Sequence, residues 1–127
     1  MSDDPTVQAW RRLLAQHAAA TCALDRELGD LHGLSVSEFE VLERLVEAPE
    51  KLRIQELASE IHLSQSATTR VVARLEKDGL LCRTMCDMDR RGVYACISDD
   101  GRARYAEARP TQRRVLGEQL DGAPAAV

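Results

Sequence analysis

The sequence predicts a mainly α fold carrying a small β-hairpin, and three observations predict it. First, Ile54, Leu57, Ala58 and Ile61 lie at helical spacing, and the turn Ile61-His62-Leu63 leads to Ser64, a good N-cap. Second, a further helix spans residues 65–78 and stops at Gly79, the residue type expected just past a helix end. Third, residues 80–86 and 92–97 read as two strands around the turn Asp87-Met88-Asp89-Arg90-Arg91. This order is that of a winged helix-turn-helix, here flanked by N- and C-terminal helices, and it suits a reader of duplex DNA.

The remaining elements follow in order. Thr6 to about Gly29 reads as a long helix with the apolar stripe Val7, Trp10, Leu13, Leu14, His17, Ala18, Cys22, Leu24 and Leu28, and Pro5 suits its first turn. Gly29-Asp30-Leu31-His32-Gly33 is expected to break it. Ser37-Glu38-Phe39-Glu40 matches a capping box. The helix it opens buries Phe39, Val41, Leu42, Leu45 and Val46 and ends at Ala48-Pro49. After the hairpin, Ser98 caps a helix whose Asp99 and Asp100 suit its N-terminus. Pro110 is expected to kink or interrupt this helix, and residues 122–127 to fray. The chain thus divides into an N-terminal dimerisation helix (1–33), a winged helix-turn-helix region (34–98) and a C-terminal dimerisation helix with its tail (99–127), all in one structural domain. The end helices carry more apolar surface than one small winged domain covers, and a second copy of the chain is the expected cover.

A chain of 127 residues with 44% hydrophobic and 30% charged residues is globular and long enough for one modest core. No apolar run approaches the ~20 residues of a membrane span. The start Met-Ser-Asp-Asp-Pro lacks the features of a signal peptide, so a cytoplasmic, nucleoid-associated protein is expected. The net charge of −4 is unevenly spread. Residues 1–52 hold 5 Lys/Arg against 10 Asp/Glu, whereas residues 64–92 hold 6 against 4. Positive charge therefore gathers in the second helix of the motif and in the wing, and affinity for DNA follows local phosphate contacts rather than overall charge.

In that second helix Ala67, Val71, Val72 and Leu75 are expected to face the core. Gln65, Ser66, Thr69, Arg70, Ala73, Arg74 and Lys77 then face outward, and Thr68 is counted with the DNA-binding residues. Gln65, Ser66 and Thr69 suit base edges, Arg70 suits guanine or a phosphate, and Arg74 and Lys77 suit the backbone. Ser64 and the free N–H groups of the first turn suit a phosphate. At the wing tip, Arg90 and Arg91 suit the narrow, negative minor groove, with Asp89 orienting Arg91 and Gly92 permitting the turn.

Residues 63–81 followed by 89–101 resemble the MarR family of bacterial transcriptional regulators, and Leu34-Ser-Val-Ser-Glu-Phe-Glu-Val-Leu42 is similar to the segment leading into that family's second helix. The resemblance implies a homodimer built on terminal helices, repression through a palindromic operator, and an Asp-x-Arg wing signature at Asp89 and Arg91. It also implies a small aromatic acid sensed in a cleft, for which Trp10, Arg11 or Arg12, His17 and His32 are the candidates. Some relatives sense oxidants at a first-helix cysteine, which points to Cys22. Members commonly carry a further dimerisation helix after the segment corresponding to residues 99–120. Either the N-terminal helix compensates here or the interface is smaller.

Two rivals stay open: a thiol- or metal-switched regulator of the same fold, and a winged module that binds protein. Of the four cysteines, Cys82, Cys86 and Cys96 lie in the wing. Small side chains on a hairpin and a redox or metal site are both compatible with them, although Cys82-x-x-x-Cys86 is a poor zinc spacing. No nucleophile-and-base set, phosphate loop or cofactor motif appears, so neither an enzyme nor a resident cofactor is expected.

Overall fold

The computed structural model describes residues 4–48, 50–86 and 89–120. Among these residues, five helices and three strands follow one another as α1 (Pro5–His32), α2 (Val36–Glu47), β1 (Leu52–Arg53), α3 (Ile54–Ile61), α4 (Gln65–Lys77), β2 (Leu81–Cys86), β3 (Asp89–Ile97) and α5 (Asp99–Leu120). The winged helix-turn-helix order is therefore present, with one strand that sequence periodicity missed.

The side chain of Asp4 accepts the Thr6 N–H at 2.8 Å and opens α1, with Pro5 in the first turn, where no N–H is needed. The expected break at Gly29 does not occur. The helix continues to His32 and ends at Gly33, whose φ of 67° is the left-handed conformation that glycine adopts without a Cβ clash. The capping box of α2 also sits earlier than expected. Ser35 Oγ accepts the Glu38 N–H at 3.0 Å and Glu38 Oε1 accepts the Ser35 N–H at 2.8 Å, in place of Ser37 with Glu40. Two overlapping Ser-x-x-Glu patterns compete here, and Asp25 of α1 decides between them. Its carboxylate accepts the Val36 N–H at 2.8 Å and so satisfies a further free donor at the earlier start.

His62, with φ 60°, closes α3, and Ser64 opens α4 by accepting the Ala67 N–H at 3.1 Å. At the far end of α4, Gly79 has φ 77°. Its N–H bonds Glu76 O at 3.0 Å and the Leu80 N–H bonds Leu75 O at 2.9 Å, so the pair forms a Schellman ending with Leu75 and Leu80 both buried. The sheet order is β1-β3-β2, antiparallel throughout, with Arg53 opposite Tyr94 and Cys82 opposite Cys96. Because β3 begins at Asp89, Asp89, Arg90, Arg91 and Gly92 fall inside the strand rather than in the turn or after it. Asp87 and Met88 lie outside the described residues. Helix α5 runs unbroken across Pro110. Ala106 and Pro110 are both exposed, so water can reach the carbonyl whose helical partner proline removes.

One core joins these elements: Leu24 and Leu28 of α1, Phe39, Leu42 and Leu45 of α2, Leu57 of α3, Val72 and Leu75 of α4, Ala95 of the sheet, and Tyr105, Ala108 and Val115 of α5. Full burial of each Val, Leu or Phe side chain among them contributes about 1.5–3 kcal/mol. Polar contacts fix α5 against its neighbours. Tyr105 donates to Glu43 at 2.8 Å, Arg114 meets Glu27 at 2.6 Å, and the His32 ring meets Thr111 Oγ1 at 2.8 Å. The start of α5 is pressed onto the end of α4. Ser98 Oγ donates to Gly79 O at 2.7 Å and accepts the Gly101 N–H at 3.0 Å, and the backbone of Gly101 lies against the Leu80 carbonyl. By contrast, no residue of α1 from Pro5 to Ala19 is buried, and Trp10, Leu13 and Leu14 stand 58%, 60% and 47% exposed. Among the described residues, no helix is long and apolar enough to cross a membrane.

Candidate nucleic-acid interface

The outward face of α4 carries most of the expected residues. Thr68, Val72 and Leu75 turn inward. Ser64, Gln65, Ser66, Thr69, Arg70, Arg74 and Lys77 are exposed. Thr68 is the correction: it is fully buried, and its hydroxyl donates to Ser64 O at 2.9 Å, so it supports the helix start and cannot touch DNA. The helical register explains the difference, since Thr68 precedes Val72 by one turn and shares its face. Thr69, one residue on, also bonds back, to Gln65 O at 2.9 Å, and keeps its oxygen exposed as an acceptor. Ser64 Oγ lies 3.3 Å from Ser66 Oγ, so the first turn presents hydroxyls beside unpaired backbone N–H groups.

Between this face and the wing lies a cleft of about 440 Å³. Gln65 and Thr69 of α4, Arg53 and Gln55 at the start of α3, and Arg83 and Val93 of the hairpin line it. Arg83 is held by Glu76 of α4 through bonds of 2.8 and 2.9 Å, which ties the wing to the second helix of the motif. Arg53 donates to the Tyr94 hydroxyl at 3.1 Å, and Lys51 Nζ sits 4.6 Å from the centre of the same ring. Sequence reading missed Arg53, Gln55 and Arg83 as lining residues of this cleft, and Tyr94 and Lys51 as the neighbours behind Arg53. The signal lay in the pairing of β1 with β3, which a two-residue strand does not announce. Arg70 and Arg74 occupy the other flank of α4, where they line a groove with Ser37 of α2. The backbone of Asp89, Arg90 and Arg91 forms the first residues of β3, while their side chains lie outside the described set.

The ligand candidates are not brought together. His17 lines a cleft of about 430 Å³ with Thr21, Asp25, Glu40, Ile61 and His62. Trp10 and Arg11 lie further along the exposed half of α1, and His32 is engaged between α1 and α5. Burial, reinforced by the nearby Glu43 carboxylate, pushes the Glu40 carboxyl above its ordinary range. Cys22 is exposed on α1. Among the described residues, no group of three or more His, Cys, Asp or Glu is placed to hold a metal ion.

A buried helix pair, a second helix with one polar and basic outer face, and a hairpin flanking it define a winged helix-turn-helix protein. A model of the MarR family matches residues 34–93, the region that builds this face. Over that region the chain matches the MarR family. Over 71 residues it is 39% identical to the HTH-type transcriptional regulator YkoM of Bacillus subtilis, covering 55% of this chain and 45% of that protein. Over 95 residues it is 26% identical to the homoprotocatechuate degradative operon repressor of Escherichia coli, covering 75% of this chain and 64% of that protein. The chain thus spans about half to two thirds of the length of these curated relatives. Its fold matches that of Sco3205, a MarR family regulator of Streptomyces coelicolor solved in complex with DNA, with a TM-score of 0.86 and 26% identity, covering 98% of this chain and 82% of that one. The matched proteins are transcriptional regulators rather than enzymes.

Proposed function

We propose that the chain works as a homodimeric repressor that binds a palindromic operator and blocks access to the promoter, acting at the nucleoid in the cytoplasm. The observation that carries the reading is the α4 face: Gln65, Ser66 and Thr69 stand exposed at its N-terminal half, flanked by Arg70 and Arg74 on one side and by the cleft with Arg53 and Arg83 on the other. Short hydroxyls and an amide at the centre with cations at the rim suit base edges and phosphates respectively. Asp89, Arg90 and Arg91 then serve the minor groove from the wing, and Lys77 the backbone. The DNA-bound Sco3205 and the repressor among the relatives support the same assignment.

Dimerisation is supported by the bare half of α1. Trp10, Leu13 and Leu14 form an apolar surface that the chain itself leaves to water, and a symmetric partner would cover it. A dimer also presents two α4 helices to half-sites ~10 bp apart. Release falls to a small aromatic ligand in the cleft beside His17, where Ile61 supplies an apolar wall and His17 and His62 the polar edge. This ligand acts by population shift, favouring an α4 separation that does not match the operator.

The test is binding to the DNA upstream of the protein's own gene, against a scrambled duplex of equal length, across a salt series. Tight binding to the native duplex alone, at two chains per duplex, is expected. Equal, weak binding to both duplexes at every salt concentration would overturn the operator reading.

A further inference from the structure

The wing holds a pair of thiols that no part of the DNA-reading surface uses. Cys82 of β2 and Cys96 of β3 are direct partners across the antiparallel ladder. Partners in such a ladder project from the same face of the sheet, so the two thiols are neighbours by construction. The ladder also sets their spacing. The Ser98 N–H bonds Leu80 O at 3.1 Å, which makes that pair a hydrogen-bonded one. Hydrogen-bonded and non-hydrogen-bonded pairs alternate, so Cys82 and Cys96, one step of two residues further on, are again a hydrogen-bonded pair, with Cα atoms about 5.5 Å apart. That separation lies at the centre of the range seen in disulfides. The Cys96 thiol already leans across the ladder, with its Sγ 3.8 Å from Cys82 O. Cys82 is exposed and Cys96 half-exposed, so oxidants in solution reach the pair.

We propose that Cys82 and Cys96 form a modification site for hydroperoxides, which closes a disulfide across the base of the wing. The thiolate of Cys82, the more exposed of the two, attacks the terminal peroxide oxygen. The O–O bond breaks, the departing oxide takes a proton, and Cys82 becomes a sulfenic acid. The Cys96 thiolate then attacks the Cys82 sulfur, the S–O bond breaks, and hydroxide leaves and is protonated to water. Two thiols are oxidised by two electrons and one hydroperoxide is reduced. The bond differs from a structural staple. Cross-strand Cβ atoms lie about 4.5–5.5 Å apart, whereas a relaxed disulfide holds them at about 3.5–4.5 Å. Closing it pulls the strands together and stores strain, and a strained, exposed disulfide is readily reduced. The site is therefore reversible.

The test uses the full chain and the variant C22S/C86S, which keeps only the proposed pair. After reaction with hydrogen peroxide and removal of excess oxidant, intact-mass measurement and thiol titration are read together. The variant is expected to lose two hydrogens and both titratable thiols, to run as a single chain on a non-reducing gel, and to recover both thiols with dithiothreitol. Adding C82S to that background is expected to abolish the loss. In the wild-type chain, peptide mapping is expected to find residues 82 and 96 joined. Persistence of both thiols, stable addition of oxygen in place of hydrogen loss, a bond between chains, or a wild-type bond to Cys22 or Cys86 would each overturn the proposal.

Discussion

Alanine at Gly101 and alanine at Gly29 should move stability in opposite directions, although both glycines lie in helices. A Cβ at Gly101 would sit 2.0 Å from the Leu80 carbonyl oxygen and 2.8 Å from a side-chain carbon of Ile97. The first of these neighbours is backbone, fixed by the Schellman ending of α4 and by the Ser98 bonds, so no rotamer change relieves the contact. Either α5 lifts from the α4–β2 junction or the junction deforms. Overpacking of this kind costs about 1–3 kcal/mol, and a backbone obstacle places it at the upper end. The helix gains about 1 kcal/mol from exchanging glycine for alanine, which leaves a net loss of about 2 kcal/mol. Unfolding entropy of about 2.1 cal/mol/K per residue over the chain converts this to a fall in Tm of about 7 °C. At Gly29 nothing lies within 4 Å of the added Cβ, and only the propensity gain remains. A rise of about 4 °C is expected for Gly29→Ala. Thermal unfolding followed by circular dichroism, at one chain concentration for all variants, reads both. A Gly101→Ala chain that melts with the wild type, or a Gly29→Ala chain that melts below it, would refute the reasoning.

Three further outcomes are expected. Arg91→Ala should weaken binding to every operator sequence and reduce the salt slope by about 1, whereas Thr69→Ala should cost ~1–3 kcal/mol on some sequences and little on others; uniform loss for Thr69→Ala would place that residue on the backbone. Leu13→Glu should remove about 1.5–3 kcal/mol per chain from the dimer, hence about 10²–10⁴-fold in its association constant, with helical content unchanged; sedimentation velocity checks this, and an unaltered dimer would remove α1 from the interface. Burial pushes the Glu43 carboxyl up, but bonds from Arg113 and the Tyr105 hydroxyl outweigh it and hold the group below its ordinary range. Its contribution to stability is thus present above the ordinary carboxylate value and is lost as pH falls through the depressed one. Glu43→Gln should flatten that acid limb of the denaturation profile, and an unchanged limb would show that the pair adds nothing.

The helix-turn-helix was legible because its signals are local. Apolar spacing in α3 and α4, Ser64 as N-cap and Gly79 as terminator each act within a turn or two of helix, and the structure keeps all of them. What sequence reading misplaced depends on contacts between distant residues. Ser35 rather than Ser37 caps α2 because Asp25, on another helix, satisfies the Val36 N–H. Thr68 is polar and short, and sequence reading counts it with the DNA-binding residues, yet its position one turn before Val72 buries it, and the Ser64 carbonyl one turn back supplies the hydrogen bond that makes burial tolerable. The wing side of the candidate site was the least legible part. Arg53 and Lys51 join it through Tyr94, more than forty residues later, and only after β1 pairs with β3. Arg83 reads from sequence as one more cation in a basic stretch, but its bonds to Glu76 couple the wing to α4. The proposed reading of DNA needs that coupling, because it uses the two elements together. Any force that tilts α5 against Leu80 acts on the end of α4 and on the base of the hairpin through the same few atoms of Gly79, Leu80, Ser98 and Gly101.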